Sequence, residues 1–227
     1  MPCTPARPQL PTQRDQAILL ALVPPRRTAL VLAGGRSVRM GRPKATLPWG
    51  GKTMLEAVLE PLQACCEVVV VVAHPGQALP TLPTDILRVD DPPELDDQGP
   101  LVGAQAGLCA LDANDAVYLA ATDKPNLTVL HVQWMFGRLG DADAAVPMDP
   151  PESTRRHRMH PLAGVLRAGP ARSAISQLLR EDERALRLTF ERLRCNEVPV
   201  SSLPDPGVLQ DCNTPADYQA ALREKQP

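Results

Sequence analysis

The run Leu32-Ala33-Gly34-Gly35-Arg36-Ser37-Val38-Arg39-Met40-Gly41-Arg42-Pro43-Lys44 is the stretch of the chain best equipped for chemistry. Gly34 and Gly35 let the backbone turn sharply and bring its N–H groups close to a ligand. Arg39 and Lys44 add fixed positive charge to the same loop. Exposed amides, a guanidinium and an ammonium together suit a di- or triphosphate. Two common phosphate motifs do not apply. The dinucleotide fingerprint needs spaced glycines, and here they are adjacent. The P-loop pattern G-x-x-x-x-G-K-[ST] ends correctly at Gly51-Lys52-Thr53 but would start on Thr46, so Lys52 and Thr53 read as a turn and a helix cap. Acidic candidates follow later: Asp91 ahead of Pro92-Pro93, and Asp123 within Thr122-Asp123-Lys124-Pro125. No Ser/His/Asp set is evident. His74, His131 and His157 lack metal-ligand spacing and read as surface or packing residues, as Trp49 and Trp134 read as packing residues.

These residues need elements to hold them. Thr28 to Leu32 is a short apolar run ending at Gly34-Gly35, the pattern of a buried strand entering a loop. Met54, Leu55, Val58, Leu59 and Leu62 have helical spacing from Thr53 to Cys66, with Thr53 as N-cap. Strands are expected at 67–73, 86–89, 116–121, 144–147, 162–166 and 198–200. Helices are expected at 99–111, 127–139, across 170–194 and at 215–225, the last with Pro at its first turn. The 99–111 helix is rich in small residues, which suits close packing. Alternation of strand and helix over most of the chain predicts an α/β domain with a largely parallel sheet. Such sheets place chemistry beyond the carboxyl ends of their strands. The glycine loop, Asp91 and Asp123 all sit just after predicted strands.

Composition narrows the function classes. Lys plus Arg is 24 and Asp plus Glu is 26, a formal charge of -2, which argues against a nucleic-acid binder that works by clustered positive charge. The apolar runs Ala17–Val23 and Val68–Ala73 fall far short of the roughly 20 residues of a membrane span. Aromatics are 3% and prolines number 26 of 227 residues, so the core is aliphatic and the chain heavily punctuated. Residues 1–27 read as a proline-rich extension and 28–227 as the folded domain. Six cysteines show no C-x-x-C spacing, as expected of reduced thiols in a cytoplasmic protein.

The pattern L-A-G-G-x-S-x-R-M-G-x-x-K after the first strand resembles the signature loop of the MobA-like nucleotidylyltransferases, and within them the molybdenum cofactor guanylyltransferases. The resemblance continues in family order through Asp91 with Gly99-Pro100-Leu101-Val102-Gly103, then Thr122-Asp123-Lys124-Pro125. It goes on through His160-Pro161-Leu162 with Arg167, and Asp211-Cys212-Asn213-Thr214-Pro215. It implies a single three-layer α/β domain of the nucleotide-diphospho-sugar transferase type, with a mostly parallel, Rossmann-like sheet. It implies Mg²⁺-dependent transfer of GMP from GTP to molybdopterin with release of pyrophosphate. By the same resemblance, Leu32, Ala33, Gly34 and Gly35 would line the nucleotide pocket. Arg39 and Lys44 would hold the β- and γ-phosphates, Asp91 would contact the nucleotide, and Asp123 would bind Mg²⁺. Gly99, Pro100, Leu101, His160, Pro161, Leu162, Asn213, Thr214 and Pro215 would bind or shape the substrate side. The implied partners are GTP and a molybdopterin-type small molecule, with transient contacts to proteins that donate or receive the pterin, and neither nucleic acid nor membrane.

The chemistry is consistent with this set. In nucleotidyl transfer two anions must meet, so catalysis is mostly positioning and charge neutralisation. Mg²⁺ takes hard oxygen ligands, commonly one or two carboxylates plus phosphate oxygens, and a strand-end Asp123 opposite a cationic loop fits. Some residues keep two readings: Asp123 as cap of the helix near Leu127, Asp91 as part of an ordinary turn, His160 as a structural histidine, and Arg155, Arg156 and Arg158 as either phosphate contacts or a solvated face. The chain departs from the guanylyl pattern at Val72-Ala73-His74-Pro75, where those enzymes carry an Asn, and at Lys124, which puts a charge beside Asp123. Gly34-Gly35 and His160-Pro161-Leu162 favour the guanylyl branch. Gly41-Arg42-Pro43-Lys44 is shared with cytidylyl-transferring relatives. A cytidylyltransferase, another phosphorylated acceptor, and a nucleotide-binding module without turnover are the alternatives.

Overall fold

The structure, a computed structural model, describes residues 24–35, 40–92, 99–150 and 158–225. In chain order it comprises β1 (Arg27–Leu32), a short hairpin of β2 (Pro48–Trp49) and β3 (Lys52–Thr53), α1 (Met54–Gln63), β4 (Val68–Ala73) and β5 (Ile86–Asp90). Then follow α2 (Pro100–Cys109), β6 (Ala116–Ala121), α3 (Val129–Leu139), β7 (Ala144–Met148), β8 (Val165–Arg167) and α4 (Ala168–Arg180). The chain ends with α5 (Arg187–Arg192), β9 (Cys195–Pro199) and α6 (Pro215–Lys225).

Seven strands form one sheet in the order β5-β4-β1-β6-β8-β7-β9. Only β8 runs against the rest, antiparallel to both β6 and β7. The expected mostly parallel α/β domain is therefore what the chain builds. Alternate side chains of each central strand face opposite ways, and they divide into two cores. Ala29, Val31, Val69, Val71, Tyr118 and Ala120 pack against α1 and α3. Leu30, Val70, Val72, Val117 and Leu119 pack against α2, α4 and α5. Three layers result, and both faces of the sheet are covered, which is why its strands read as continuous apolar runs rather than alternating ones.

Local signals explain most boundaries. Thr53 caps α1 through a capping box: its hydroxyl accepts from Glu56 N, while the Glu56 carboxylate accepts from Thr53 N. Thr128, not Asp123, caps α3, accepting from His131 N at 3.2 Å, so the capping reading of Asp123 is set aside. The strand expected at 162–166 is displaced. Pro161–Ala163 forms a 3-10 turn and the strand begins at Val165, because Pro161 locks a turn conformation at the start of that segment. Gly50 and Gly51 have φ of 56° and 86°, the two positive values that a two-residue hairpin turn between β2 and β3 demands. Among the described residues the five cysteines are unbridged, and no helix is long and apolar enough to cross a membrane. Of the expected N-terminal extension, residues 1–23 lie outside the described residues. Arg26 pairs with Asp115 at 2.8 Å.

Candidate active site

Strand register brings the chemistry to one edge. Leu32 of β1 pairs with Ala121 of β6 on one side and Val72 of β4 on the other, and Ala73 pairs with Asp90 of β5. The residues that follow these strands, Gly34-Gly35, His74, Asp91 and Asp123, therefore emerge side by side. The chain runs outward from β1 through β4 to β5, then returns to place β6 on the other flank of β1. The crevice at such a switch point is where ligands sit in open parallel sheets. Here it is a cavity of about 260 Å³, with Leu32, Val72, Val102 and Leu162 as apolar walls and Gly34, Gly35, His74, Asp91, Gly99, Pro100, Gly103, Ala121 and Asp123 completing the lining.

Close packing around Asp91 is the reason for two glycines. A Cβ at Gly34 would stand 3.0 Å from Asp91 Oδ2, and one at Gly103 would stand 3.1 Å from Asp91 Oδ1. The Asp91 carboxylate thus sits between the loop after β1 and α2. Its Oδ2 is 3.5 Å from His74 Nδ1, and its backbone N–H donates to Ala73 O at 2.8 Å. His74 is therefore a cavity residue, a correction to its reading as surface or packing. Gln77 ties the two neighbouring loops: its Nε2 donates to Ala33 O at 2.8 Å and its Oε1 accepts from His74 N at 3.0 Å. Neither role was visible in the sequence, although His74 follows a strand's carboxyl end as Asp91 and Asp123 do.

Lys44 and Asp123 meet at the mouth. Lys44 Nζ is 3.4 Å from Asp123 Oδ2 and donates to Asn213 Oδ1 at 2.8 Å. Lys44 opens a 3-10 turn that leads into the β2–β3 hairpin. Trp49 of that hairpin is fully buried against Met54, Ala57, Cys212 and Ala221. The ring of Tyr218 of α6 lies 6.1 Å from that of Trp49, tilted by 42°, and its hydroxyl donates to Pro48 O. The C-terminal helix thus clamps the segment that carries Lys44. Thr214 caps α6, its hydroxyl accepting from Asp217 N, while Asp217 Oδ2 accepts from Asn213 N and Thr214 N. Hydrogen bonding from the Thr214 side chain, and then from the backbone N–H groups of Thr214 and Asn213, holds the Asp217 carboxyl below its usual pKa. Asn213 is fixed from behind while its side chain meets Lys44.

The remaining expected site residues divide clearly. Arg39, Arg155, Arg156 and His157 lie outside the described residues. Ala33 uses its backbone internally, donating to Val72 O at 2.8 Å and accepting from Gln77. Leu101 is fully buried in the core formed with α2, so the pocket is lined by its neighbours Pro100 and Val102 instead. Of His160, Pro161 and Leu162, only Leu162 lines the cavity. His160 is buried, with Nε2 3.1 Å from Asp149 Oδ1 and its backbone N–H donating to Pro147 O. Burial pushes its imidazole below the usual pKa, against the opposing pull of Asp149. Thr214 and Pro215 form the start of α6 rather than the pocket wall. Arg167 lies at the opposite edge, beside Ala116 and bonded to the carbonyls of Gly140 and Ala142. Lys124 does not face the cavity either. It is buried, with Nζ 2.5 Å from Asp211 Oδ1 and 3.0 Å from Leu209 O.

The donors suit a hard cation. Asp123 Oδ1 is buried and accepts no hydrogen bond from the described residues, a costly state that a cation would relieve. Among those residues no group of three His, Cys, Asp or Glu gathers, so Mg²⁺ held by Asp123 would take its other oxygens from phosphate and water.

Comparison with known proteins bears on the family and the fold. The MobA-like NTP transferase domain model matches residues 29–196. A Mycobacterium marinum protein named "Probable molybdenum cofactor guanylyltransferase" is 36% identical over 200 residues, covering 86% of this chain and 92% of the relative. Among solved structures, molybdopterin-guanine dinucleotide biosynthesis protein A of Archaeoglobus fulgidus superposes with a TM-score of 0.69 at 20% identity, covering 87% of this chain and 98% of the other. A 4-diphosphocytidyl-2C-methyl-D-erythritol synthase of Anaerococcus prevotii superposes at 0.68 and 12% identity, covering 90% and 100%. These two likenesses concern the fold.

Proposed function

Because the chain belongs to the MobA-like NTP transferase family, and is thus a nucleotidyltransferase, we propose that it transfers GMP from GTP to molybdopterin or its molybdenum form and releases pyrophosphate. The observation that carries the reading is the Lys44–Asp123 pair, 3.4 Å apart, beside a slot whose far end holds Asp91. In the reaction an acceptor phosphate oxygen forms a bond to the α-phosphorus of GTP as the bond to the β-phosphate breaks. No protein nucleophile is needed. The apolar walls Leu32, Val72 and Val102 take the base, and Asp91 accepts hydrogen bonds from its donor edge. Gly34 and Gly35 allow backbone to approach the phosphates, and Lys44 neutralises the departing pyrophosphate. Orienting two anions in this way is where such a site gains its rate. Asp123 would hold Mg²⁺, which supplies charge neutralisation on the triphosphate oxygens when bound. Leu162 faces the acceptor side, where a pterin phosphate enters. The partners are these two small molecules and, transiently, proteins that deliver or receive the pterin.

The test is pyrophosphate release from each of GTP, CTP, ATP and UTP, with and without molybdopterin and Mg²⁺. Acceptor-dependent release from GTP alone is the expected result. Preference for CTP would reassign the base, and tight nucleotide binding with no release under any acceptor would leave a binding module.

A further inference from the structure

Lys124 is a buried ammonium that the reaction above does not use. It follows Asp123 directly, yet turns away from the cavity to Asp211 Oδ1 at 2.5 Å and Leu209 O at 3.0 Å. The second oxygen of Asp211 accepts from Arg158 at 2.7 Å. One residue on, Cys212 N–H donates to Asp123 O at 2.9 Å, and at the next, Asn213 Oδ1 accepts from Lys44 Nζ at 2.8 Å. The 209–213 segment is thus a strap pinned at Leu209, Asp211 and Cys212 to the end of β6, and it presents Asn213 to Lys44. A buried ion pair is a poor source of stability, because desolvation offsets the attraction, but it can define one geometry among several.

On the reading that Lys44 binds a triphosphate tail, we propose that Lys124 is a positioning residue for Lys44. Through Asp211 it fixes the strap, and through Asn213 the strap sets where the Lys44 ammonium sits relative to Asp123. Lys124 touches neither substrate nor metal.

The experiment compares wild type, Lys124→Met, Lys124→Arg, Asn213→Ala and the Lys124→Met/Asn213→Ala double variant. The readouts are calorimetric affinity for inorganic tripolyphosphate, GTP and GMP, thermal unfolding, and kcat and KM. Lys124→Met is expected to weaken tripolyphosphate and GTP about tenfold, the scale of one misplaced charge-assisted hydrogen bond, while GMP is spared. Lys124→Arg, which can reach both partners, should recover most of the loss. The double variant should bind triphosphate no worse than Asn213→Ala, because both act through one contact. Multiplicative losses in the double variant, or equal losses for GTP and GMP, would overturn the proposal. Should Lys124→Met fail to fold, the paired replacement Lys124→Met/Asp211→Leu leaves no buried charge and must show the same selective loss. Wild-type affinity for GTP and tripolyphosphate separates the two readings: its absence removes the triphosphate site itself, and its presence with a wild-type-like Lys124→Met removes only the positioning role.

Discussion

Lys44 Nζ lies 3.4 Å from Asp123 Oδ2 although 79 positions separate the two residues. One is carried by the loop after β1 and the other by the end of β6. Neighbouring parallel strands bring those ends together, and the 209–213 strap supplies Asn213 as their common neighbour. On the proposed function, a cation and a carboxylate so placed would divide the work of holding a polyanion: Lys44 would contact phosphate directly and Asp123 would take a metal.

Replacing Lys44 with alanine should weaken triphosphate far more than monophosphate. Loss of a charge-assisted contact predicts about a 10- to 100-fold lower affinity for GTP, with GMP nearly unchanged, as read by calorimetry. Equal losses for the two ligands would show that Lys44 does not meet the phosphate tail.

Asp123→Ala should lower turnover by roughly 10²- to 10³-fold or more while leaving the fold intact. Its Oδ1 is buried and accepts no hydrogen bond from the described residues, and Lys44, which loses the 3.4 Å contact to Oδ2, keeps Asn213 as a partner. Steady-state kinetics beside a thermal melt checks both halves, and turnover near wild type would remove Asp123 from the metal role.

Gly107→Ala is expected to destabilise the protein by about 1–3 kcal/mol through overpacking. A Cβ there would stand 2.2 Å from Leu30 Cδ1 and 2.8 Å from Val72 Cγ2, both in the core beneath α2. Urea unfolding should show a lower midpoint at an unchanged slope. Because Val72 also walls the cavity, nucleotide affinity should fall with it.

His131 should make stability depend on pH. Burial lowers its pKa from 6.5 to about 4, so the folded protein binds fewer protons than the unfolded chain between those values. The contribution is complete above about pH 6.5 and is lost as pH falls toward 4, amounting to roughly 3 kcal/mol. His131→Phe should flatten that part of the stability profile, and an unaltered slope between pH 6.5 and 4 would refute the assignment.

Elements whose ends carry their own signals were legible from sequence. Thr53 announces α1 as its N-cap, Pro215 opens α6, and the apolar run 116–121 is β6 as read. The hairpin of β2 and β3 was not foreseen, because its strands are two residues each and only Gly50-Gly51 marks the turn. Nor was β8 placed correctly, since its reversal depends on pairing with β6 and β7 rather than on its own residues. Within the site, Gly34, Gly35, Lys44, Asp91 and Asp123 stood out by type and by position after strands. His74 and Gln77 did not, because their importance lies in what they touch.

The linear order of residues was therefore enough to establish an alternating α/β chain, its family, and a cationic glycine loop partnered by strand-end carboxylates. The alternation and the loop depend on composition, periodicity and local spacing, which act within a few residues along the chain, and the family was read from the resemblance of its motifs in order. Only the folded chain decided that Lys44 meets Asn213, that Leu101 belongs to the core, that His160 pairs with Asp149 outside the cavity lining, and that Lys124 turns from the cavity toward Asp211. Those outcomes rest on strand order, register and the docking of α6 against Trp49. They are settled when distant segments bury their apolar surface together, and no short stretch of sequence encodes them alone.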